Sequence, residues 1–564
     1  MIMHFEEENL NENVLNICKR IAGPRKIVAA CFYGPQVNRY AGEKKDVNVL
    51  LVIDNYRSIL KGYLKPLDEV RVFIFAVDKG SFERDVKQGW LGEFVANKLI
   101  TPYQPLINET YLQEKEVNVK KRIIWELLEN IVLMFPELSP ELLIETEYFM
   151  YEAMTQRARL FQPITYTYLN MMREDVKKKN MDCMMKGYQT ALAELAKEQK
   201  IVFSDGYVKI TRAFIDAIRK QKIRIPTFIK AIQRAALMNI LSVLPKMMKP
   251  YMNDQETLLQ THGNEYEEAR DPVSQLEDPR KHLFVPTPLG PVSFSDKVTI
   301  EDFVRKTVPS GEILKIEVKP IGGVLNDVYL LTLERKHELQ KIVVKKFRDW
   351  SSIKWFSLAL WSLGTKSFAV LGRTRLEREY AINQFLYSKG VCVPKTLYVS
   401  PQERLIFKEF IEGENFGEIV KEILSGKRKP SEEVDLIKEI GKKVAKIHGI
   451  GVSLGDCKPE NILVTTDEKM CFVDLEQATR DGDQSWDIAE FLYYSGHYAP
   501  PVSTPDAAEL VTKKFIEGYL EAGGKKETIE KAGSAKYTKV FSIFTLPHII
   551  FAISNLCKKM GKNK

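Results

Sequence analysis

The chain has 564 residues, 45% hydrophobic and 28% charged, a balance that excludes collagen-like and intrinsically disordered classes and allows about two to four domains. Its 83 basic and 75 acidic residues leave a formal charge of +8, which permits RNA or acidic partners without requiring them. The seven cysteines, Cys18, Cys31, Cys183, Cys392, Cys457, Cys471 and Cys557, are odd in number, far apart and without a C-x-x-C pair, which fits a reducing cytoplasm best.

Residues 1–10 are acidic and lack the apolar segment of a signal peptide, so a cytoplasmic location is expected. Residues 27–33 form an apolar run followed by Gly34-Pro35 and a polar loop. A strand is predicted over residues 46–53 and a second, after a turn, over residues 70–77. This order resembles the DNA polymerase β-like nucleotidyltransferases, in which a Gly-Ser turn positions a triphosphate and a pair of strand carboxylates binds metals. Here the pair is Asp46 and Asn48, Pro35 stands in place of the Ser, and the second strand has no central carboxylate. An amide is a poorer ligand than a carboxylate, so the resemblance implies a degenerate nucleotidyltransferase-like α/β domain over residues 1–115, used for binding or scaffolding.

Residues 116–250 are predicted to be helical, with Ile123, Ile124, Leu127, Leu128, Ile131 and Val132 on one face. A hairpin interrupts them at residues 201–210, where Asp205-Gly206 separates two β-favouring runs. The basic residues Arg212, Arg219, Lys220, Lys222, Arg224, Lys230 and Arg234 follow. They read either as a solvated face of a helical bundle or as an RNA contact. Residues 251–297 mix acidic and polar residues with Pro272, Pro279, Pro286, Pro288 and Pro291, and read as a linker.

The last region, residues 298–564, carries the chemistry. It opens with Lys319-Pro320-Ile321-Gly322-Gly323-Val324-Leu325-Asn326-Asp327-Val328-Tyr329, whose two glycines allow a backbone turn to approach phosphates closely. Its most ordered run is Leu454-Gly455-Asp456-Cys457-Lys458-Pro459-Glu460-Asn461, then the apolar Ile462-Leu463-Val464, a turn, and Cys471-Phe472-Val473-Asp474-Leu475-Glu476. Transfer of a γ-phosphoryl group needs a carboxylate to orient the acceptor hydroxyl, a cation near the moving group and oxygen ligands for magnesium. Asp456 and Lys458 fill the first two roles, and Asn461 with Asp474 fills the third. Residues 540–557 contain no Asp, Glu, Lys or Arg but include Pro547 and His548. They predict a buried terminal helix and no membrane span.

These motifs resemble the protein-kinase-like superfamily, whose catalytic loop places Asp, Lys, Pro and Asn at the same offsets. Leu454-Gly455 stands where His-Arg is usual, and Asp474-Leu475-Glu476 where Asp-Phe-Gly is usual. Both departures are closer to the atypical members: the RIO kinases, the small kinase of the KEOPS complex and the aminoglycoside phosphotransferases. The resemblance implies a bilobal fold that binds ATP and Mg2+. Gly322, Gly323 and Val328 would contact nucleotide, Lys345 (alternatively Lys346) would grip phosphates, and Glu379 (alternatively Glu377) would pair with that lysine. Backbone from Glu409 to Ile411 would meet the adenine edge. Asp487 would brace the catalytic loop, and the segment from Leu475 to Ser485 is too short for a regulated activation loop. The aromatic insertion holding Trp350, Trp355 and Trp361 reads as packing against the chain's own N-terminal region or as a lid.

The whole is therefore expected to be an α+β multidomain chain: a nucleotidyltransferase-like domain, a helical region and a bilobal kinase-like domain. The expected activity is that of an atypical serine/threonine protein kinase acting on a hydroxyl acceptor. The alternatives are a small-molecule kinase or a nucleotide-binding pseudokinase scaffold that contacts RNA or protein.

Overall fold

The computed structural model describes residues 2–38, 46–67, 70–160, 163–220, 272–307, 313–322, 326–335, 338–349, 369–428, 434–500 and 504–562. Gly323, Lys222, Arg224, Lys230, Arg234 and the tryptophans of the aromatic insertion lie outside them. The chain forms two units, Met1–Phe284 and Val285–Lys564.

In the first unit, strands β1 (Ile27–Tyr33), β2 (Asp46–Ile53), β3 (Leu60–Leu67), β4 (Val70–Asp78) and β5 (Tyr103–Ile107) make one mixed sheet in the order β3-β4-β2-β1-β5. The central strands are near-continuous apolar runs because both of their faces are covered. Val14, Cys18 and Ala22 of the helix Ile2–Ala22 pack on one face against Ala30, Phe32, Val49, Leu51 and Ile74. Strand β3 occupies the stretch where the sequence suggested only a turn. It is an edge strand holding Gly62 and Pro66, mostly exposed, so neither alternation nor burial marks it in the sequence.

Next come the helices Glu109–Met134, Thr146–Leu160, Pro163–Met171 and Glu174–Lys197. The first buries the apolar face read from its 3.6-residue spacing. The short strand β6 (Leu143–Ile144) pairs with the hairpin of β7 (Ile201–Ser204) and β8 (Tyr207–Ile210) through Ile144 and Val208. Asp205 and Gly206 turn that hairpin with φ of 51° and 83°, as a tight two-residue connection requires. Strand β9 (Leu283–Val285) pairs with β6 through Phe284 and Leu283.

The second unit begins with β10 (Val292–Ser293) and the helix Ile300–Thr307. An antiparallel sheet then runs in the order β11-β12-β13-β15-β14, from β11 (Ile313–Gly322), β12 (Asn326–Arg335), β13 (Glu338–Phe347), β14 (Thr396–Ser400) and β15 (Leu405–Glu409). Phe303 of the preceding helix stacks on Phe407 with ring centroids 4.0 Å apart and closes a core with Leu331, Leu333, Ile342 and Val344. The helix Gly372–Ser388 lies between β13 and β14 in sequence.

Beyond β15 the short strands β16 (Glu414–Asn415), β17 (Val452–Ser453), β18 (Ile462–Val464), β19 (Met470–Phe472) and β20 (Thr479–Arg480) form two small sheets, β16-β18-β19 and β17-β20. They sit with the helices Phe416–Leu424, Val434–Gly449, Gln484–His497, Asp506–Glu521 and Pro547–Lys562 around one large apolar core. The apolar stretch at residues 540–557 is not one helix. Pro547 opens a new one that buries Ile549, Ile553 and Cys557 and leaves Phe551 exposed. No helix among the described residues is long and apolar enough to cross a membrane.

Two of the seven cysteines, Cys392 and Cys471, form a disulfide, with Cα atoms 4.5 Å apart. Nothing in their spacing announces it, because 79 residues intervene. Tertiary structure supplies the proximity: the Phe472 N–H donates to the Cys392 carbonyl at 2.9 Å, drawing the segment before β14 onto β19. Cys18, Cys31, Cys457 and Cys557 are buried thiols, and Cys183 is exposed.

Two outcomes follow for stability. Asp85 is fully buried and its carboxylate accepts the backbone N–H groups of Leu91, Glu93, Val95 and Ala96 at 2.8–3.1 Å. Asp85→Ala strands four buried donors, so it should cost about 3 kcal/mol, read as a lower calorimetric Tm for the N-terminal unit. Reducing Cys392–Cys471 opens a long covalent loop and should lower the stability of the C-terminal unit by up to about 4 kcal/mol, checked by comparing melting with and without dithiothreitol and in Cys471→Ser.

Candidate active site

Between β17 and β18 the chain makes a loop that carries Asp456, Lys458 and Asn461, and the helix Gln484–His497 holds its backbone from behind. The N–H groups of Leu454 and Gly455 donate to the Asp487 carboxylate at 2.6 and 2.7 Å. His448 Nε2 lies 3.0 Å from the same carboxylate, while its Nδ1 meets the Tyr519 hydroxyl at 2.8 Å. Asp487 thus braces the loop as the sequence suggested. A second brace was missed: the Cys457 N–H and the Trp486 indole N–H donate to Glu490 at 2.8 and 3.0 Å. Its signal was available, since Glu490 sits three residues after Asp487 and so on the same helical face. Gly455 has φ of 75°, a left-handed conformation that side chains rarely adopt, which accounts for a glycine directly before Asp456.

The loop's polar side chains converge. Lys458 Nζ lies 3.1 Å from Asp456 Oδ2, and the Asn461 amide donates to both the carbonyl and the carboxylate of Asp456 at 2.9 and 3.0 Å. Burial opposes the charge on Lys458, but Asp456, Glu490 and Asp474 outweigh it and raise its pKa. Strands β18 and β19 pair Ile462 with Phe472, and the Val473 N–H donates to the Asn461 carbonyl at 2.9 Å. That pairing sets Asn461 beside the segment holding Asp474, whose φ of 59° is unusual for a residue with a side chain.

Strand β13 delivers the opposing cation. Lys345 is buried and Lys346 exposed, as alternation on a strand demands, so of the two alternatives it is Lys345 that turns inward. Its Nζ lies 2.6 Å from Asp474, 2.9 Å from Glu476 and 3.5 Å from Glu379. Burial works against its charge, but the three carboxylates hold its pKa well above the ordinary lysine value. Asp474 shows the converse: burial would raise its pKa, and Lys345, Lys458 and Lys408 bring it below the usual carboxylate range. Glu379 is fully buried on the helix Gly372–Ser388 and also pairs with Lys408 of β15, a buried lysine that the sequence reading did not single out.

Of the other residues expected to contact nucleotide, Gly322, Val328 and Glu409 lie on the same sheet, and Ile411 follows the end of β15. Gly322 ends β11 and pairs with Val328, which in turn pairs with Lys345 across β12 and β13. At the end of β15 the Glu409 N–H donates to the Lys395 carbonyl at 3.0 Å, and the Glu409 carboxylate accepts the Lys395 N–H at 2.9 Å. Among the described residues no three His, Cys, Asp or Glu side chains gather as a metal cluster. The donor set of Asn461 and Asp474 instead suits a hard cation that draws its remaining oxygen ligands from phosphate and water.

Comparison with known proteins points to kinases. The lipopolysaccharide kinase (Kdo/WaaP) family matches residues 336–511, a span that holds Lys345, Glu379, the catalytic loop and Asp474. The probable serine/threonine-protein kinase BUD32 homolog of Archaeoglobus fulgidus is 30% identical over 163 residues, 29% of this chain and 73% of that protein. The KEOPS complex subunit Bud32 of Pyrococcus abyssi is 30% identical over 112 residues, 20% of this chain and 48% of that protein. A solved complex of Rv3197 with erythromycin from Mycobacterium tuberculosis is 14% identical and covers 44% of this chain and 75% of that one, at a TM-score of 0.23 that is too low to define a shared fold.

Site and family together define a protein-kinase-like phosphotransferase that uses ATP. Within that class the chain belongs to the Bud32 family.

If Glu490 positions the loop, Glu490→Ala should lower kcat about tenfold with little change in KM for ATP, and Glu490→Gln, which keeps an acceptor, should recover most of it. Steady-state phosphotransfer with the purified variants checks this.

Proposed function

We propose that the chain is a magnesium-dependent serine/threonine protein kinase of the atypical type. The observation that carries this reading is the convergence of Asp456, Lys458, Asn461 and Asp474 opposite a buried Lys345. Asp456 orients the acceptor hydroxyl and takes its proton. Lys458, already 3.1 Å from Asp456, stabilises charge on the transferring group. Lys345, aligned by Glu379, holds the phosphates, with Gly322 of β11 and Val328 of β12 on the strands beside it; Gly323, expected to contact nucleotide as well, lies outside the described residues. Because the Glu409 N–H is committed to Lys395, the adenine edge is read by backbone further along, towards Ile411. Asn461 and Asp474 hold Mg2+, which neutralises phosphate charge when bound.

The relative titled as a KEOPS complex subunit supports protein partners for this chain as well. The N-terminal sheet suits a degenerate nucleotidyltransferase-like domain used for binding. Its Asp46 is engaged by Arg71 through two contacts of 2.9 and 2.5 Å, and its Asn48 is buried. A cytoplasmic location belongs to the same reading, and there the Cys392–Cys471 bond is open to reduction. One observation favours a second acceptor class: the lipopolysaccharide kinase match supports a sugar hydroxyl.

Transfer of labelled γ-phosphate from magnesium-ATP to a cell extract, separated into acid-precipitable and acid-soluble products, tells the two acceptors apart. Label in precipitated protein that disappears with Asp456→Asn is the expected result, and soluble labelled product beyond free phosphate would favour the small-molecule reading. Asp474→Ala should abolish transfer in a protein that still folds, with a lower Tm because Lys345 loses its nearest carboxylate, and retained turnover in that variant would overturn the metal assignment.

A further inference from the structure

Two departures in the sequence meet in space. Asn326, which follows the paired glycines, is the first residue of β12, and Glu476 stands two residues after Asp474. The Asn326 amide donates to Glu476 Oε2 at 2.6 Å. Arg375, from the helix that carries Glu379, donates to Asn326 Oδ1 at 2.7 Å and to Glu476 Oε1 at 3.1 Å, and also to the Arg348 carbonyl beyond β13. Exposure is 6% for Asn326, 3% for Glu476 and 0% for Arg375. Glu476 Oε2 also lies 2.9 Å from Lys345.

We propose that Asn326, Arg375 and Glu476 form a positioning clamp that fixes the start of β12 against the Asp474 segment, so that β12, the phosphate-gripping Lys345 and Asp474 keep one relative geometry. Each member has a distinct task. Arg375 anchors both partners from the helix. Glu476 uses one oxygen for Arg375 and the other for Asn326. Asn326 joins β12 to the other two through its donor and its acceptor at once. The arrangement survives nucleotide entry on charge grounds: when phosphates engage Lys345, Glu476 keeps Arg375 as its counter-ion. It also gives a physical reason for a Glu where a flexible Gly would otherwise stand, since this position is held by a buried ion pair. The clamp rests on the nucleotide-cleft reading of Lys345 and Asp474, and its test separates the two.

Affinities of the full-length protein for ATP, ADP and adenosine are compared for wild type, Asn326→Ala, Glu476→Gln and the double variant. Asn326→Ala leaves the Arg375–Glu476 pair in place, so it tests the clamp without stranding a buried charge. The expected result is a loss of about tenfold for ATP and ADP, less than about twofold for adenosine, and no further loss in the double variant. Equal losses for ATP and adenosine would mark a merely structural role and overturn the clamp, as would unchanged ATP affinity in Asn326→Ala. A wild-type chain that binds adenosine and ATP equally would overturn the phosphate-site reading itself, and the clamp with it.

Discussion

A desolvated ammonium cannot be left alone, and the C-terminal unit is arranged around that constraint. Removing Lys345 from water costs several kcal/mol that only close, well-oriented carboxylates offset. Those carboxylates come from two places: Glu379 from the helix Gly372–Ser388, and Asp474 and Glu476 from the segment after β19. The ion pairs therefore set the position of the helix relative to the sheet, and of both relative to the catalytic loop. Charge is balanced among the six groups involved, with Lys345, Lys408 and Arg375 against Glu379, Asp474 and Glu476. A polyphosphate entering such a site would bring unmatched negative charge, which in the proposed reading a cation held by Asn461 and Asp474 would compensate.

The catalytic loop is held by a different device. It has little regular structure of its own, so its N–H groups must find partners elsewhere, and two carboxylates one helical turn apart, Asp487 and Glu490, take three of them. Backbone rather than side chain is gripped, which leaves Asp456 and Lys458 free of structural duty towards that helix. The left-handed Gly455 is the local consequence: the loop bends where only glycine bends easily, directly before Asp456.

Much of this was legible because phosphotransfer fixes residue types at fixed offsets. Asp456, Lys458, Asn461 and Asp474 were read as one group from their spacing, and the tight loop with the paired strands β18 and β19 does draw Asn461 towards Asp456 and the segment that holds Asp474. The choice between Lys345 and Lys346 was not legible, because alternation says that the two differ without saying which faces inward. Lys408 was missed for a related reason: its partner Glu379 lies 29 residues upstream, and a lysine in an apolar strand looks like an edge residue until the helix covering it is known. Strand β3 escaped because edge strands need neither apolar alternation nor burial. The Cys392–Cys471 bond escaped because it depends on how the segment before β14 meets β19, which no local pattern encodes.

The segment after Asp474 carries the last step. Only residues 475–483 separate Asp474 from the helix Gln484–His497, and they are tied down along their length. Glu476 is held by Arg375, and Gln477 exchanges hydrogen bonds with the Ala369 backbone at 2.9 and 3.2 Å. Thr479 and Arg480 pair with β17, and the Asp481 N–H donates to the Gly451 carbonyl at 2.8 Å. A loop that switches by phosphorylation needs slack and an arginine beside the catalytic Asp to receive the phosphate. Here the residue before Asp456 is Gly455, and the segment is stapled to the strand that leads into the catalytic loop. An order–disorder transition of this segment would have to break its contacts with Arg375, Ala369, β17 and Gly451 together.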